Sequence, residues 1–358
     1  MDSNFLRPIE IEMIRSSINR AASRRNTTRQ PKPAPAEANN LLQTKKAGDW
    51  MLQEHGKPAA KQLFGSLWTE HELCILFADT NLGKSILAVQ IANSLTKICS
   101  TAPFYNNLGA SASVLYLDFE LSSAQFSSRY YSPQWGSYLF SENFYRSEFN
   151  PTAGVGSTSH LDYNDFMHRE IEAAVQKTRA QALIIDNITY MRSGTSHVKD
   201  AMALMKMLKA LKTKYQLSVL VLAHTPKRNP HKPLTVNDLQ GSKMLINFAD
   251  SAFAIGQSHS QPGMRYLKQI KQRNYKEEYG ENNIALISLE NHLNFLRYKF
   301  EGFAPERDHI RRPETGNKSH LHKKIIALRQ KGHGLRKIAD EVGVHFTTVG
   351  KILKKQEV

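Results

Sequence analysis

One eight-residue segment, residues 78 to 85 (ADTNLGKS), constrains this chain more than any other feature. The segment follows the apolar run Leu73–Phe77 and precedes a helical pattern over Ile86–Thr96. A strand, a turn and a helix N-terminus in that order surround an anion with backbone N–H groups, and the helix dipole adds to the attraction. Lys84 is placed to reach the β- and γ-phosphates of a nucleotide, and the Ser85 hydroxyl to ligate Mg²⁺. The segment therefore predicts a phosphate-binding loop for MgATP.

Glycine has a mechanical role in such a loop, because the backbone comes closest to a phosphate where no Cβ intervenes. Gly83 takes that role here, whereas the first position is Ala78, where the commonest form of the motif has Gly. Ala is an accepted variant at that position. The predicted nucleotide contacts are Ala78, Asp79, Thr80, Asn81, Leu82, Gly83, Lys84, Ser85 and Ile86.

Two further apolar runs end in carboxylates. The first, VLYLDFE, ends at Glu120, and the second, ALIIDN, contains Asp186. Open α/β sheets place ligands at the carboxyl ends of their strands. Asp186 fits a Walker B pattern, whose aspartate holds Mg²⁺ through water, so Ser85 and Asp186 are the predicted metal ligands. Glu120 is the predicted base that activates water. The alternatives are an ordinary strand-end aspartate and a salt-bridged surface glutamate.

Alternation of strands and helices predicts the fold class. Near-continuous apolar runs, typical of strands buried on both faces, cover Leu73–Ala78, Val114–Phe119, Leu183–Asp186 and Ser218–Ala223. Helical spacing covers Ser85–Cys99, Phe166–Arg179 and Val198–Tyr215. Later strands are predicted at Ala252–Ile255, Tyr266–Ile270, Ile284–Leu289 and Leu293–Tyr298, with a hairpin turn at Glu290–His292. The pattern predicts an α/β protein with a mostly parallel sheet flanked by helices.

Composition divides the rest of the chain. Apolar residues at helical spacing predict an amphipathic helix over residues 1–25, and alternating prolines predict a disordered linker over 26–46. The nucleotide-binding domain is expected at 47–303, a second linker at 304–319, and a helical domain at 320–358. Lys and Arg outnumber Asp and Glu by 48 to 32. The excess is densest after residue 305, which favours a polyanionic partner such as DNA.

The C-terminal helical domain has the pattern of a helix-turn-helix. Apolar positions between Leu321 and Leu353 suit three short helices, and Gly343 lies where the tight turn between the second and third is needed. In the predicted recognition helix, the polar residues available to a major groove or to phosphates are His345, Thr347, Thr348, Lys351 and Lys354. The alternative is a helical tail that docks onto another protein.

Taken together, the motifs resemble those of RecA-type P-loop ATPases of the hexameric helicase branch, specifically RepA-like and DnaB-like proteins. The resemblance covers roughly residues 63 to 300. It implies that Glu120, followed nine residues later by Arg129, is the catalytic carboxylate. It also implies that His224, at the end of the run SVLVLAH, senses the γ-phosphate. The longer connections at 100–112 and 131–162 depart from a minimal RecA core, and the family's primase-binding domain is expected to be absent.

The same resemblance assigns the basic residues of the later motifs. A loop that touches single-stranded DNA would contain Lys227, Arg228, Lys232 and Lys243, and such cations suffice for phosphate contact. The segment KQIKQRN resembles a finger that one subunit inserts into its neighbour's nucleotide site, with Lys271 and Arg273 meeting the phosphates. The alternatives are a solvated basic loop and an exposed edge strand with cations.

Three functions remain open at this stage. The first is an oligomeric DNA-dependent ATPase, expected as a hexamer, that acts as a replicative or mobilisation helicase of a plasmid or mobile element. Single-stranded DNA would pass through the ATPase ring and duplex would bind the helix-turn-helix. The second is a non-motor, ATP-gated initiator or recombination mediator, and the third is a transcription regulator with an ATPase domain.

The sequence also predicts a cytoplasmic protein without membrane segments. No apolar run approaches the ~18 residues that cross a bilayer. The N-terminus carries Glu10 and Glu12 where a secretory signal would be apolar. Two cysteines, Cys74 and Cys99, offer neither a disulfide framework nor a cysteine-based zinc site.

Overall fold

The computed structural model describes residues 42–99, 102–150, 163–188, 197–226, 228–239, 243–312 and 315–354. The chain divides into two compact units, Met1–Ala59 and Ala60–Val358. The predicted helix over 1–25 lies outside the described residues, as does all of the predicted linker before residue 42. The described part of the first unit holds one helix, α1 (Ala47–Glu54), and none of its residues is buried.

A nine-stranded sheet organises the second unit. Two short strand pairs precede or flank it, so the described strands in chain order are β1 (Gln62–Phe64), β2 (Trp68–Thr69), β3 (Leu73–Ala78), β4 (Val114–Asp118), β5 (Tyr131–Ser132), β6 (Gly136–Ser137), β7 (Phe144–Glu148), β8 (Ala182–Asp186), β9 (Ser218–His224), β10 (Ser251–Gln257), β11 (Met264–Lys271), β12 (Ile284–His292) and β13 (Phe295–Ala304). In space the large sheet has the order β13-β12-β11-β10-β3-β9-β8-β4-β7. The strands from β10 to β7 in this order are parallel, and β11, β12 and β13 extend the sheet antiparallel.

Helices cover both faces of this sheet. The described helices of the second unit are α2 (Lys84–Lys97), α3 (Ser123–Arg129), α4 (Tyr163–Thr178), α5 (His197–Tyr215), α6 (Lys243–Phe248), α7 (Thr315–Gln330), α8 (Leu335–Val342) and α9 (Phe346–Lys354). One core cluster joins the sheet to α2, and a second joins its other face to α4 and α5. Every residue of β3, β4 and β8 is buried, as continuous apolar runs in parallel strands require. The predicted α/β class, with a mostly parallel sheet flanked by helices, is confirmed.

Two details differ from the sequence-based expectation. The hairpin turn lies at Leu293–Asn294, not at Glu290–His292, because β12 continues through His292 and pairs it with Phe295. The connection after α3 also contains an unexpected strand, β7, which adds a parallel edge next to β4. Its residues FYRSE are all exposed or half-buried, so no apolar run marked it.

The segment that follows β13 packs against the sheet. Glu306 is fully buried and accepts hydrogen bonds from the Tyr266 hydroxyl (2.9 Å) and from the Leu234 backbone N–H (2.7 Å). Lys268 pairs with the same carboxylate and donates to the Leu234 carbonyl (2.9 Å). A buried carboxylate of this kind is stable because each of its oxygens has a donor. Residues 305–312 therefore hold the loop after β9 in place.

The last three helices have a core of their own. It consists of the buried side chains Ile325, Leu328, Ile338, Ala339 and Val349. Gly343 ends α8 with φ +68°, the left-handed conformation that lets a chain turn sharply into the next helix. The tail is thus a compact three-helix arrangement with a tight turn between α8 and α9.

Candidate functional site

The phosphate-loop motif occupies the turn between β3 and α2, at the carboxyl end of the central parallel strand. Gly83 caps α2 with φ +76°, and a Cβ at that position would clash with the hydroxyl oxygen of Tyr298. Tyr298 comes from β13 and its hydroxyl donates to the Leu82 carbonyl. Two features besides the approach of a phosphate therefore favour glycine at position 83: the left-handed backbone conformation and the tyrosine that packs on the loop.

Lys84 is held inside the loop. Only 5% of the residue is exposed, and its ammonium donates to the carbonyls of Ala78 (3.2 Å) and Asp79 (3.4 Å) and to Nδ1 of His224 (3.1 Å). Burial lowers the pKa of Lys84, while the carboxylates of Asp186, Glu120 and Asp79 act in the opposite direction. The cation thus points at the centre of the loop.

Glu120 meets two polar side chains from neighbouring strands. Its Oε1 lies 3.2 Å from Nε2 of His224, accepts a hydrogen bond from the Asn187 amide, and that amide nitrogen lies 2.9 Å from the same Nε2. The Lys84 ammonium can only donate, so Nδ1 of His224 is an acceptor and Nε2 carries the ring proton and donates it to Glu120. The Asn187 amide nitrogen is also a donor, so its hydrogen bond goes to Glu120 and not to Nε2. Hydrogen bonding by His224 keeps the pKa of Glu120 below its usual value, so the side chain is an ionised base.

Asp186 lies at the bottom of the site. The Tyr116 hydroxyl donates to its Oδ2 (2.6 Å), whereas its Oδ1 is buried and receives no hydrogen bond within the described part of the chain. Burial raises the pKa of Asp186 to about 6, and the nearby Ser85 and Tyr116 hydroxyls act in the opposite direction. A buried carboxylate oxygen without a donor, beside a serine hydroxyl, is the oxygen ligand set that a hard cation prefers. Ser85 and Asp186 therefore fit a Mg²⁺ ion.

Four of the predicted residues, Lys84, Glu120, Asp186 and His224, thus converge at one edge of the sheet. They do so because β3, β9, β8 and β4 are consecutive neighbours and all end at that edge. Arg129 does not join them: it ends α3 and makes no hydrogen bond or ion pair with Glu120 among the described residues.

Lys271 and Arg273 lie elsewhere. Lys271 pairs in register with Ala252, and Ala252 with Ile75, three residues before the phosphate loop begins. At ~3.3 Å per residue this places Lys271 about 10 Å back toward the amino ends of the parallel strands. Lys271 donates to the carbonyls of Ile246 (2.6 Å) and Ala249 (2.7 Å), at the end of α6.

Arg273 accompanies Lys271 on the same surface. It contacts Asp250 and the Asn247 carbonyl, both at 3.4 Å, and half of its side chain is exposed. The structure therefore does not bring the two predicted finger residues to the phosphate loop of their own chain.

The predicted DNA-contacting loop is only partly described. Lys227 lies outside the described residues, and the side chain of Lys243, the first residue of α6, lies outside them too. Arg228 turns inward, donates to the Lys232 carbonyl and lies 4.0 Å from Asp238. Lys232 is exposed, so it is the described cation of this loop that faces solvent.

In the C-terminal tail, the predicted recognition helix corresponds to α9. The exposed residues are His345, which directly precedes α9, and Thr347, Thr348, Lys351 and Lys354 within it, whereas Val349 is buried in the small core. The aromatic residue Phe346, at the start of α9, is also 42% exposed.

Sequence reasoning missed three side chains of the site: Asn187, Tyr298 and Tyr116. Asn187 directly follows the Walker B aspartate, so its position next to Asp186 was a usable signal. Tyr116 faces Asp186 only because β4 pairs in register with β8, and Tyr298 reaches Leu82 from a strand more than two hundred residues away. Neither contact is visible without the sheet order.

A phosphate loop on a parallel sheet, with a catalytic-type glutamate and a buried aspartate at the same edge, defines a P-loop ATPase. Comparison with known families agrees: the AAA domain family AAA_25 matches residues 39–230, more than half of the chain. The chain belongs to this family. No helix in the described ranges is long and apolar enough to cross a membrane.

Other comparisons add little detail. No curated protein matches the chain. Among solved structures, a KaiC-like protein, PH0186, from the hyperthermophilic archaeon Pyrococcus horikoshii is similar over 64% of this chain and 90% of that chain, with 14% sequence identity and a TM-score of 0.43.

Proposed function

We propose that this P-loop ATPase is DNA-dependent and works as a head-to-tail oligomer, expected to be a hexamer, in replication or mobilisation of a plasmid or mobile element, as a helicase. The observation that carries the proposal is the separation of two charged clusters on one sheet. Lys84 and Glu120 lie at the carboxyl edge, whereas Lys271 and Arg273 lie toward the amino edge. Copies stacked in one direction would bring the second cluster of one copy to the first cluster of the next.

The chemistry of the site follows from its donors and acceptors. Glu120 takes the proton of a water molecule whose oxygen bonds to the γ-phosphorus, while the bond to the β,γ-bridging oxygen breaks and ADP leaves with that electron pair. Lys84 balances negative charge on the phosphates. His224, which touches both Lys84 and Glu120, connects the phosphate end to the base. Ser85 and Asp186 would hold Mg²⁺, which neutralises phosphate charge when bound.

Arg273 and Lys271 would supply positive charge to the neighbouring copy's γ-phosphate. An arginine finger of this kind raises turnover by ~10³ or more. A monomer would then be a slow ATPase, and hydrolysis would depend on assembly.

Two basic surfaces support DNA as the partner. The first is the loop that contains Lys232 and, in its sequence, Lys227. The second is α9 together with His345, the residue before it; α9 itself exposes two threonines and two lysines. We take α7–α9 to be a helix-turn-helix, with α9 in the major groove.

The test combines three measurements on the full chain. Native light scattering gives the mass of the particle with a non-hydrolysable ATP analogue and an oligonucleotide. The ATPase rate is measured with and without single-stranded DNA, and strand separation is measured on a forked duplex. We expect a closed oligomer, DNA-stimulated hydrolysis, and unwinding that Lys84→Ala abolishes. Unwinding that survives Lys84→Ala would contradict the motor, and a monomer with full ATPase activity would contradict assembly.

A second function, an ATP-gated initiator, is favoured by one observation. The tail has its own core, as expected of a module that reads a duplex site. For this function, the same assays would give ATP-dependent duplex binding without strand separation.

A further inference from the structure

The turn that carries Glu120 is held by the side chain that precedes it. Asp118, the last residue of β4, accepts hydrogen bonds at Oδ1 from the backbone N–H groups of Glu120 (3.2 Å) and Leu121 (2.9 Å). Its side chain is completely buried. A carboxylate in that position fixes the direction in which the chain leaves the strand, and hence where the Glu120 side chain begins.

Arg146, from the unexpected edge strand β7, completes the arrangement. Its Nε donates to the second oxygen of Asp118 (2.9 Å), and one terminal nitrogen donates to the Leu121 carbonyl (2.5 Å). The guanidinium also lies over the Phe126 ring, 4.8 Å from its centre, and only 15% of the side chain is exposed. The planar fork thus joins the buried carboxylate, the turn and α3, which a lysine ammonium could not do in the same geometry.

We propose that Arg146 is the positioning residue for Glu120. It acts through Asp118 and Leu121, and its hydrogen bonds go to Asp118, Ser123, Glu148 and Leu121, all outside the phosphate loop. Held on both sides, the turn keeps the Glu120 carboxylate within reach of His224 and Asn187. Misplacement of a catalytic group by about 1 Å can cost ~10²-fold in rate. The inference rests on the proposed role of Glu120 in hydrolysis.

The proposal predicts an effect on turnover and not on substrate binding. Arg146→Gln should lower kcat for ATP hydrolysis by ~10- to 100-fold, with the KM for ATP changed by less than about threefold. The kcat of Arg146→Lys should lie between those of the wild type and Arg146→Gln, because the lysine keeps the ion pair with Asp118 but loses the hydrogen bond to the Leu121 carbonyl. Arg297→Gln is the matched control. Arg297 lies on β13, away from this turn, and also pairs with a carboxylate, that of Glu290 at 2.6 Å. Arg297→Gln should leave kcat unchanged.

A double-mutant cycle separates positioning from general stability. If Arg146 acts through Glu120, Arg146→Gln should cost almost nothing further in a Glu120→Gln background. Additive losses in kcat would overturn the proposal, as would a normal kcat in Arg146→Gln.

The cycle also distinguishes the two levels of the hypothesis. A folded wild-type protein that shows no ATP hydrolysis, or a Glu120→Gln variant with normal kcat, contradicts the proposed function itself. Normal hydrolysis that depends on Glu120 but not on Arg146 contradicts only the positioning role. Should Arg146→Gln fail to fold, Arg146→Lys in the same cycle gives the decision, since it retains the buried ion pair.

Discussion

The carboxyl and amino edges of one sheet each carry a cluster of charged side chains. The two clusters differ in how many of their N–H donors have a hydrogen-bond partner within the chain. At the carboxyl edge Lys84 is 5% exposed and its ammonium has a partner for each of its three protons. Toward the amino edge Arg273 is 51% exposed in its side chain and has two contacts, both at 3.4 Å. Five N–H donors are available on a guanidinium, so this cluster retains capacity for another partner.

The difference teaches how the two clusters can work. A ligand at the carboxyl edge has to exchange places with existing partners of Lys84, so binding there rearranges the site. A ligand at the other edge can add to Arg273 without breaking its contacts. A buried, closed cluster suits a substrate site, whereas an open one suits a surface that meets a second copy.

The largest expected effect tests whether the two edges meet between copies. Lys84→Ala and Arg273→Ala should each lower ATPase activity by ~10³-fold. An equimolar mixture should recover about a quarter of wild-type activity, because that share of head-to-tail interfaces combines an intact loop with an intact finger. The measurement is steady-state phosphate release from co-refolded or subunit-exchanged mixtures. Activity no higher than that of the separate variants would mean that the edges do not complete each other.

A second experiment compares one carboxylate from each edge, Asp186 and Asp250. Burial raises the pKa of Asp186 to about 6. Burial also pushes up the pKa of Asp250, but the Leu73 N–H and Lys212, both 2.9 Å away, outweigh it and hold that pKa below its ordinary value. The two carboxylates therefore have opposite effects on stability at neutral pH.

Because the folded-state pKa of Asp186 exceeds its unfolded value, its charge lowers the free energy of unfolding as pH rises between about 4 and 6. Asp186→Asn should therefore stabilise the nucleotide-free protein above pH 6, by at most about 3 kcal/mol, and have little effect below pH 4. Asp250→Asn should destabilise it at neutral pH. Chemical denaturation at two pH values measures both, and a loss of stability in Asp186→Asn at pH 7.5 would contradict the assignment.

The smallest expected effect concerns the glycine of the phosphate loop. Gly83 and Gly109 have similar backbone conformations, with φ +76° and +72°. A Cβ added at Gly83 would clash with Tyr298, whereas a Cβ added at Gly109 would have no atom within 4 Å. Gly109→Ala should cost about 1 kcal/mol of unfolding free energy, for the left-handed conformation alone. Gly83→Ala should cost about 1–3 kcal/mol more, from overpacking.

Tyr298→Phe supplies the check on that last comparison. Removing the hydroxyl should return part of the excess loss in Gly83→Ala, because the hydroxyl oxygen is the nearest atom to the added Cβ. Equal losses at Gly83 and Gly109 would show that the tyrosine yields without cost.

How much of this could be predicted from the sequence depends on the distance over which each signal acts. The phosphate loop, its strand and its helix are neighbours in the chain, and local patterns were enough to place them. The parallel strands β4, β8 and β9 were also found, because burial on both faces leaves a continuous apolar run. Their carboxyl ends share an edge in any such sheet, so the convergence of Glu120, Asp186 and His224 followed.

Contacts that depend on strand order or on an edge could not be predicted in this way. β7 is an edge strand with no fully buried residue, so it has no apolar signature. For the same reason, the sequence pattern did not single out Arg146, which lies on this strand. Tyr298 reaches the phosphate loop because α2 packs on β13, which no local pattern encodes.

Glu306 anchors the segment that precedes the C-terminal helices. Its carboxylate is locked to β11 through Lys268 and Tyr266 and to the loop after His224 through Leu234. Any load carried by the C-terminal helices along the main chain is delivered first to this buried anchor, and only then to the sheet. A pull on the C-terminal helices would therefore reach the loop that follows His224.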